Sequence, residues 1–522
     1  MSSDTLSLPV QPPEPPRAVP QRPAPDATSN ATRLLCAGTY LDAAYRATVI
    51  RELLTNRSRV VAPSYGYDAV PVLAHALAAR RLQRMRRAAL GAGTVVTVFL
   101  TAVGVLSGFT ATLVVLWLLW FTAYLRRVVT LQTLTGRLRR RTDGANAFDG
   151  SCPQRPELTA ELVAKIDEEQ SSDGSVIRYG GYKPFVGAGA QVRTWSTAEL
   201  LIGARETVFD RDRRTGREPW EPDEVDEVDE EPRRKEVVPF TVEEITSYVD
   251  AHMKANLRER ERRTERIDGL AVARSTFTTE VRTRPGTPQG AGHWQDTYGS
   301  GRSYLCIRVG SWDQELVTTA FVGFDLKGNT LHTEFYSYVL APIRASFHLV
   351  DRLPATLNGG LLLRVAWDTV RATPDVVLKP VLTRLRSWAP GLSAGQVEET
   401  LIEAARLPDT SEFRLGRYAD SASGRGALLS IREMATSRRF HVFFQETDTV
   451  KYTQIVEREL LQIVRDFLHE HHVDLAEHEA RQTNILNNYG NNNNFVKGNN
   501  NNVNSGTQHG GRPSDGGQGA AS

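Results

Sequence analysis

His469, His471, His472 and His478, with Asp474 among them, are the residues in this chain best suited to ligate a transition metal. His469 and His472 stand three apart, so on a helix they share a face. The order His469-Glu470-His471-His472 nevertheless lacks the HExxH spacing, in which two imidazoles sit one turn apart with a glutamate base between them. Histidines that close a helix are favoured by its dipole with no metal near, and that solvated role is the reading adopted. Gly187-Ala188-Gly189 comes nearest to a phosphate-cradling loop, but the third glycine of a dinucleotide fingerprint is missing, and a tight turn explains it more simply. The acidic run Glu221 to Glu231 has no turn glycine of the kind a calcium loop needs. No GxSxG elbow, Walker loop, kinase motif set or paired zinc cysteines can be found. Catalytic, cofactor-binding and metal residues are therefore assigned to none, and no cofactor is expected. Cys36, Cys152 and Cys306 are isolated, which fits a reducing compartment rather than a disulfide framework.

The elements that must carry such residues are organised by one feature, a run of 38 residues without a charge, Ala88 to Leu125. As a single helix it would reach roughly 57 Å, nearly twice a hydrocarbon core of roughly 30 Å. Splitting it at Ser107-Gly108 gives spans Ala88 to Leu106 and Phe109 to Leu125, a two-helix transmembrane hairpin. Arginines flank both outer ends, Arg80 to Arg87 before and Arg126 to Arg141 after, and retained arginine marks the cytoplasmic side. The expected location is the inner (cytoplasmic) membrane, two-pass, with both termini cytoplasmic. Trp117, Trp120 and Tyr124 suit the headgroup level of the second span.

Charge is unevenly spread. Residues 1–150 hold eighteen arginines, no lysine and eight acids, a net +10, so the remaining residues carry −8 of the overall +2. Because the arginines border the spans rather than line a separate basic face, a lipid bilayer is the expected partner and nucleic acid is not.

Residues 1–30 are proline-rich and predicted disordered, and residues 31–87 are read as cytoplasmic helices. The hairpin occupies 88–125 and a basic membrane-proximal segment 126–150. Residues 151–478 are read as a cytoplasmic α+β domain with an antiparallel sheet, interrupted by an acidic loop at 206–236. Within it, Leu158 to Glu169 reads as helix, Ser175 to Tyr179 as strand, and Trp195 as lying at a second strand or helix start. Thr241-Val242-Glu243-Glu244 is a capping box for a helix to about Arg263. Alternation over Arg302 to Leu340 predicts a three-stranded meander with a turn at Lys327-Gly328-Asn329. Helices are predicted at Gly360 to Arg371, Pro380 to Trp388 and Ser393 to Arg406, a strand pair at Ala427 to Arg432 and Phe440 to Gln445, and an amphipathic helix from Asp448.

Residues 479–522 form an Asn/Gly-rich low-complexity tail. Asn491 to Gly498 and Asn499 to Gly506 are an eight-residue repeat, with Ile485 to Gly490 as a degenerate earlier unit. Stacked asparagine ladders with Phe495 and Val496 as dry contacts are the chemistry of cross-β assembly, so the tail reads as disordered in the monomer and as a route to a homo-oligomer.

Several short segments stand out from residue 175 onward: Tyr179-Gly180-Gly181-Tyr182-Lys183-Pro184-Phe185-Val186-Gly187 with Trp195-Ser196, and Arg302-Ser303-Tyr304 with Ser311-Trp312. Ser430-Ile431-Arg432-Glu433, Asp466-Phe467-Leu468 with Val473-Asp474, and Ile485-Leu486-Asn487-Asn488 continue them. Together they resemble an uncharacterised family of actinobacterial proteins over roughly Ser175 to Gly506. The resemblance implies a recurring cytoplasmic module without catalytic residues. It also implies a tail similar to bacterial amyloid signalling motifs, with asparagine here replacing much of the glycine. The expected function is a non-enzymatic integral membrane protein whose module senses or docks an unknown protein partner and whose tail self-associates, in signalling or defence. The alternative is a membrane-tethered enzyme with an active site that sequence does not reveal.

Overall fold

Polar caps open the amino-terminal helices and apolar stripes bury them. The computed structural model describes residues 26–56, 59–140, 148–150, 152–171, 176–180, 182–206, 234–260, 262–279, 301–354, 357–371, 426–437 and 439–487. Ser29 caps α1 (Asn30–Leu41) by accepting from the Thr32 amide, and Asp42 caps α2 (Ala43–Ile50) through the Ala44 and Tyr45 amides. Asp68 caps α3 (Ala69–Ala102), whose Pro71 falls in the first turn where its missing N–H costs nothing. With α5 (Ala160–Gln170), these helices bury Leu34, Leu35, Leu73 and Ile166 in one cluster, which also takes in Leu134 and Leu138 from beyond α4 (Gly108–Thr133).

α3 does not stop where an independent span would begin. It is one continuous helix, with Ala69–Ala79 buried in the bundle and the charge-free part, Ala88–Ala102, projecting from it. That part is only about 22 Å long and is diluted by Gly91, Gly93 and three threonines, so it falls short of a core of roughly 30 Å. Among the described residues, one helical stretch, Gly108–Leu138, combines the length and apolarity needed to cross a membrane, with an 18-residue window of mean hydropathy 1.7. The expected transmembrane hairpin is corrected to this single candidate, and with it falls the two-pass arrangement with both termini cytoplasmic.

The carboxy-terminal half is built on six strands in the order β1-β3-β4-β5-β6-β2. These are β1 (Val176–Arg178), β2 (Ala190–Leu200), β3 (Leu270–Thr278), β4 (Arg302–Ser311), β5 (Leu316–Lys327) and β6 (Thr330–Leu340). The meander β4-β5-β6 follows the predicted alternation and turns at Gly328, whose φ is 59°. The sheet is mixed rather than wholly antiparallel, because β1 lies parallel to β3 with Val176 opposite Thr276. β3 was not anticipated. The predicted strand pair is also absent: Ala427 makes only an isolated bridge to Tyr179, and Phe443 opens a helix.

One face of the sheet carries α6 (Val242–Leu257) and α8 (Phe443–Glu470). Ile245, Val249, Met253 and Leu257 recur every fourth residue and, with Val456, Leu460 and Phe467, close over Leu305, Ile307 and Phe335. The Thr241–Glu244 capping box is present, though α6 ends at Leu257. On the other face, Phe185 stacks on Phe321 at 4.1 Å and meets Phe277, Tyr304 and Tyr338 edge-on. Helix α7 (residues 359–371) lies beside α4, and α9 (Ala476–Asn487) crosses back over β2 and α8. The proline-rich segment to residue 25, the acidic run 207–233, the helices expected at Pro380 to Trp388 and Ser393 to Arg406, and the repeat from Asn491 lie outside the described residues.

Gly189 shows how closely the aromatic face is packed. Its φ is 95°, and a Cβ there would stand 2.3 Å from the Val339 carbonyl oxygen. Gly189→Ala is therefore expected to lower stability by about 1–3 kcal/mol in urea unfolding. A change within about 0.5 kcal/mol would mean that the loop relaxes freely.

Candidate functional site: an arginine-collared apolar arm and a clamped terminal helix

Antiparallel packing of α3 on α4 brings together arginines that are far apart in sequence. Gly93 leaves room for Leu118, since a Cβ there would lie 2.7 Å from its Cδ1. At the base of the resulting arm, burial and the guanidiniums of Arg126, Arg127 and Arg87 hold Arg86 below its ordinary pKa. Arg46 is lowered in the same way, by burial and by Arg126 and Arg87. The Nε of Arg86 has no hydrogen-bond partner among the described residues. Above this collar, Trp117 stacks on Phe121 at 5.0 Å and Trp120 on Tyr124 at 5.5 Å, each pair one turn apart. Of the most apolar 18-residue window of Gly108–Leu138, only 6 % is buried. A core helix of that hydropathy would be covered.

The histidines singled out by sequence do not converge. Among the described residues no group of three or more His, Cys, Asp or Glu side chains is placed to hold a metal. His469 is exposed, His471 Nδ1 lies 2.8 Å from the Phe467 carbonyl of its own helix, and His472 adopts φ 60° in the turn after α8. Asp474 accepts from the Ala476 amide at the start of α9. His478 is different. It is buried, with Nδ1 2.9 Å from Glu199 Oε1 on β2 and Nε2 3.1 Å from the Leu461 carbonyl on α8. Both ring nitrogens face acceptors, so the ring satisfies them as an imidazolium. Burial pushes its pKa down, but the Glu199 carboxylate overrides this and the net shift is upward.

The far end of α9 is held by a second ionic group. Glu457 is fully buried on α8 and accepts from Arg193 Nε at 2.7 Å and Trp195 Nε1 at 2.6 Å. Burial raises its pKa while Arg193 and the indole N–H pull the other way. The same Arg193 donates through NH2 to the Ile485 carbonyl at 2.6 Å, closing the last turn of α9. Sequence reading missed this group. Its one signal was a carboxylate next to Val456 on the apolar face of an otherwise regular amphipathic helix.

The Gly187-Ala188-Gly189 turn does bind a carboxyl group, but an internal one, whose burial pushes its pKa up against the backbone amides that lower it. The Gly187 and Gly189 amides donate to Glu433 Oε1 at 3.1 and 2.9 Å. The neighbouring Arg432 is fully buried and donates to the carbonyls of Tyr65, Gln314 and Glu315. Gln314 ends three successive non-glycine residues with positive φ, Trp312, Asp313 and Gln314. Arg33, also fully buried, pairs with Asp351 at 2.6 Å and reaches the Leu138 carbonyl. These groups lock the helical bundle to the sheet. A cleft of about 660 Å³ lies between the end of α6 and α8–α9, where Arg266, Lys451 and Arg458 alternate with Glu265 and Glu459 over Ile267, Ile455 and Leu486.

Residues 194–506, more than half of the chain, match the AbeC-like domain. The chain belongs to the AbeC-like domain family. The match covers most of the module read from the short segments between Ser175 and Gly506, and its description names no activity. Neither the curated proteins nor the solved structures give a match. The AbeC-like domain starts inside β2 and takes in β3–β6 and α6–α9, so Glu199, Glu457 and His478 all belong to it. The apolar arm lies outside it. Arg432 and Glu433 are AbeC-like residues whose partners Tyr65, Gly187 and Gly189 precede the domain, and they form the joint between the two parts.

Proposed function

We propose that this chain is a membrane-associated, non-catalytic docking protein. Its apolar arm seats in a lipid bilayer, and its AbeC-like domain presents the carboxy-terminal segment from a fixed point on the sheet. The exposure of the apolar stretch in Gly108–Leu138 carries the reading, because water-exposed apolar surface on this scale marks an interaction site and its collar is cationic. The two ionic holds on α9 support the second part: they fix the last described helix of the domain to the sheet and to α8. The asparagine repeat beyond it supports homotypic association of the tail.

Vesicle flotation of the full chain tests the reading. Wild type is expected to float with the lipid. In Leu113→Arg/Leu116→Arg, both at exposed positions, each arginine costs about 2.5–3.5 kcal/mol, and partition should fall by at least roughly a hundredfold with an unchanged circular dichroism spectrum. Equal flotation of wild type and variant would overturn it.

A further inference from the structure

α7 sits in the AbeC-like domain by sequence, yet in space it leans on the arm. Trp120 Nε1 donates to the Ala366 carbonyl at 3.2 Å, and Arg127 donates to Thr369 Oγ1 at 3.1 Å. Ala366 thus stands at the level of the stacked aromatic pair and Thr369 at the level of the arginine collar. The flank toward α4 is half-buried, with Thr369 fully covered. At about 100° per residue, Leu363, Trp367 and Val370 fall within about 60° of one another. All three are exposed, at 74, 58 and 48 %. Beside them runs a narrow charged stripe of Arg364, Asp368 and Arg371, with Arg371 5.4 Å from the centre of the Trp367 ring. An apolar face beside one charged stripe, with a tryptophan between, is the pattern of a helix lying in a membrane interface.

We propose that α7 is a second lipid-contacting element, lying in the surface of an anionic phospholipid bilayer beside the apolar arm. This rests on the membrane reading of the arm. Two observations select the occupant. The Trp120 indole ties α7 to α4, so the exposed Leu363, Trp367 and Val370 stand beside a helix that itself exposes Leu113, Leu116, Trp117 and Phe121. The collar it borders crowds Arg86, Arg87, Arg126 and Arg127 together, a charge that lipid phosphates neutralise. Leu363, Trp367 and Val370 then enter the acyl boundary while Arg364 and Asp368 stay at the headgroups.

The test uses the full chain carrying Cys152→Ser, since Cys36 and Cys306 are buried. An environment-sensitive fluorophore is attached at Leu363→Cys, Val370→Cys or Asp368→Cys on α7, or at Leu113→Cys on the arm. With vesicles containing about 30 % phosphatidylglycerol, emission should shift to the blue at 113, 363 and 370 and remain water-like at 368. In pure phosphatidylcholine the shift at 363 and 370 should need about tenfold more lipid, and Arg86→Gln/Arg126→Gln should remove that difference. A shift at 113 with none at 363 and 370 overturns the α7 proposal and leaves the arm reading standing. An equal shift at 368 overturns the interfacial placement, and equal response to the two lipids overturns the anionic preference. No shift at any position overturns the arm reading itself.

Discussion

Arg432→Met is expected to destabilise the folded chain by on the order of 3–5 kcal/mol, the largest effect of any single side chain described above. The guanidinium has no exposure and donates to three backbone carbonyls, on Tyr65 from the helical bundle and on Gln314 and Glu315 from the β4–β5 connection. Burial lowers its pKa to about 10, which leaves it cationic at neutral pH. Methionine keeps most of the volume, so the loss is that of the hydrogen bonds, with carbonyls left bare in the interior. It also removes the hold on the left-handed run Trp312, Asp313 and Gln314. Arg432→Lys should rescue little, because one ammonium cannot reproduce a planar fork that reaches three acceptors. Denaturant unfolding measures both variants, with exposed Arg439→Ala as the control expected within about 0.5 kcal/mol. A loss for Arg432→Met no greater than that control would show that the joint does not depend on this residue.

The second large effect is a loosening of α9 as pH rises. The folded-state pKa of His478 lies above its ordinary value, so its stabilisation is complete below the unfolded pKa of about 6.5 and is lost as pH passes through the raised folded value. The groups around it are Glu199 on β2, the Leu461 carbonyl and Arg465 on α8, and Glu477, Glu479 and Arg481 on α9 itself. Arg465 opposes the imidazolium but is engaged by Glu479 at 3.1 Å. Amide exchange in the first two turns of α9, corrected for its intrinsic pH dependence, should accelerate about tenfold or more between about pH 6 and about pH 9. The last turn, held by Arg193 on the Ile485 carbonyl, should change much less. Glu199→Gln should flatten the profile. Uniform acceleration along α9, or a profile unchanged in Glu199→Gln, would show that this pair is not the hold.

How far these groups could be read beforehand follows from where their partners sit. The β4-β5-β6 meander was legible because its alternation and its turn are local, and the Thr241–Glu244 box spans only four residues. β3 was not, since Leu270-Ala271-Val272-Ala273-Arg274-Ser275 offers little apolar alternation and is held by β4, whose paired residues lie about 25 to 39 positions later. The aromatic run Phe440 to Phe444 invited a strand, but the amides of His441 and Val442 turn back to Gln445 Oε1 and start α8. The charge-free run showed its length but not its partition. α3 begins at Ala69 in the bundle core, so the first half of the run is the end of a helix already in use. Arg33, Arg432, Glu457 and His478 are each buried against partners from distant segments, and only Glu457, a carboxylate on the apolar face of its helix, carried a local sign of it. The partner of the GxG turn, Glu433, lies more than two hundred residues later.

The unbroken course of α3 has a mechanical consequence. The far end of the arm stands roughly 35 Å from the last bundle-buried turn, so a tilt of about 5° at the base displaces the tip by about 3 Å. Conversely, a sideways load on the tip returns to the bundle as torque, with no hinge between Ala69 and Ala102 to absorb it. On the proposed seating of the arm in a bilayer, a change in thickness or tension would reach the joint at Arg432 and Glu433 as rotation of a rigid lever, without any signal passing along the intervening side chains.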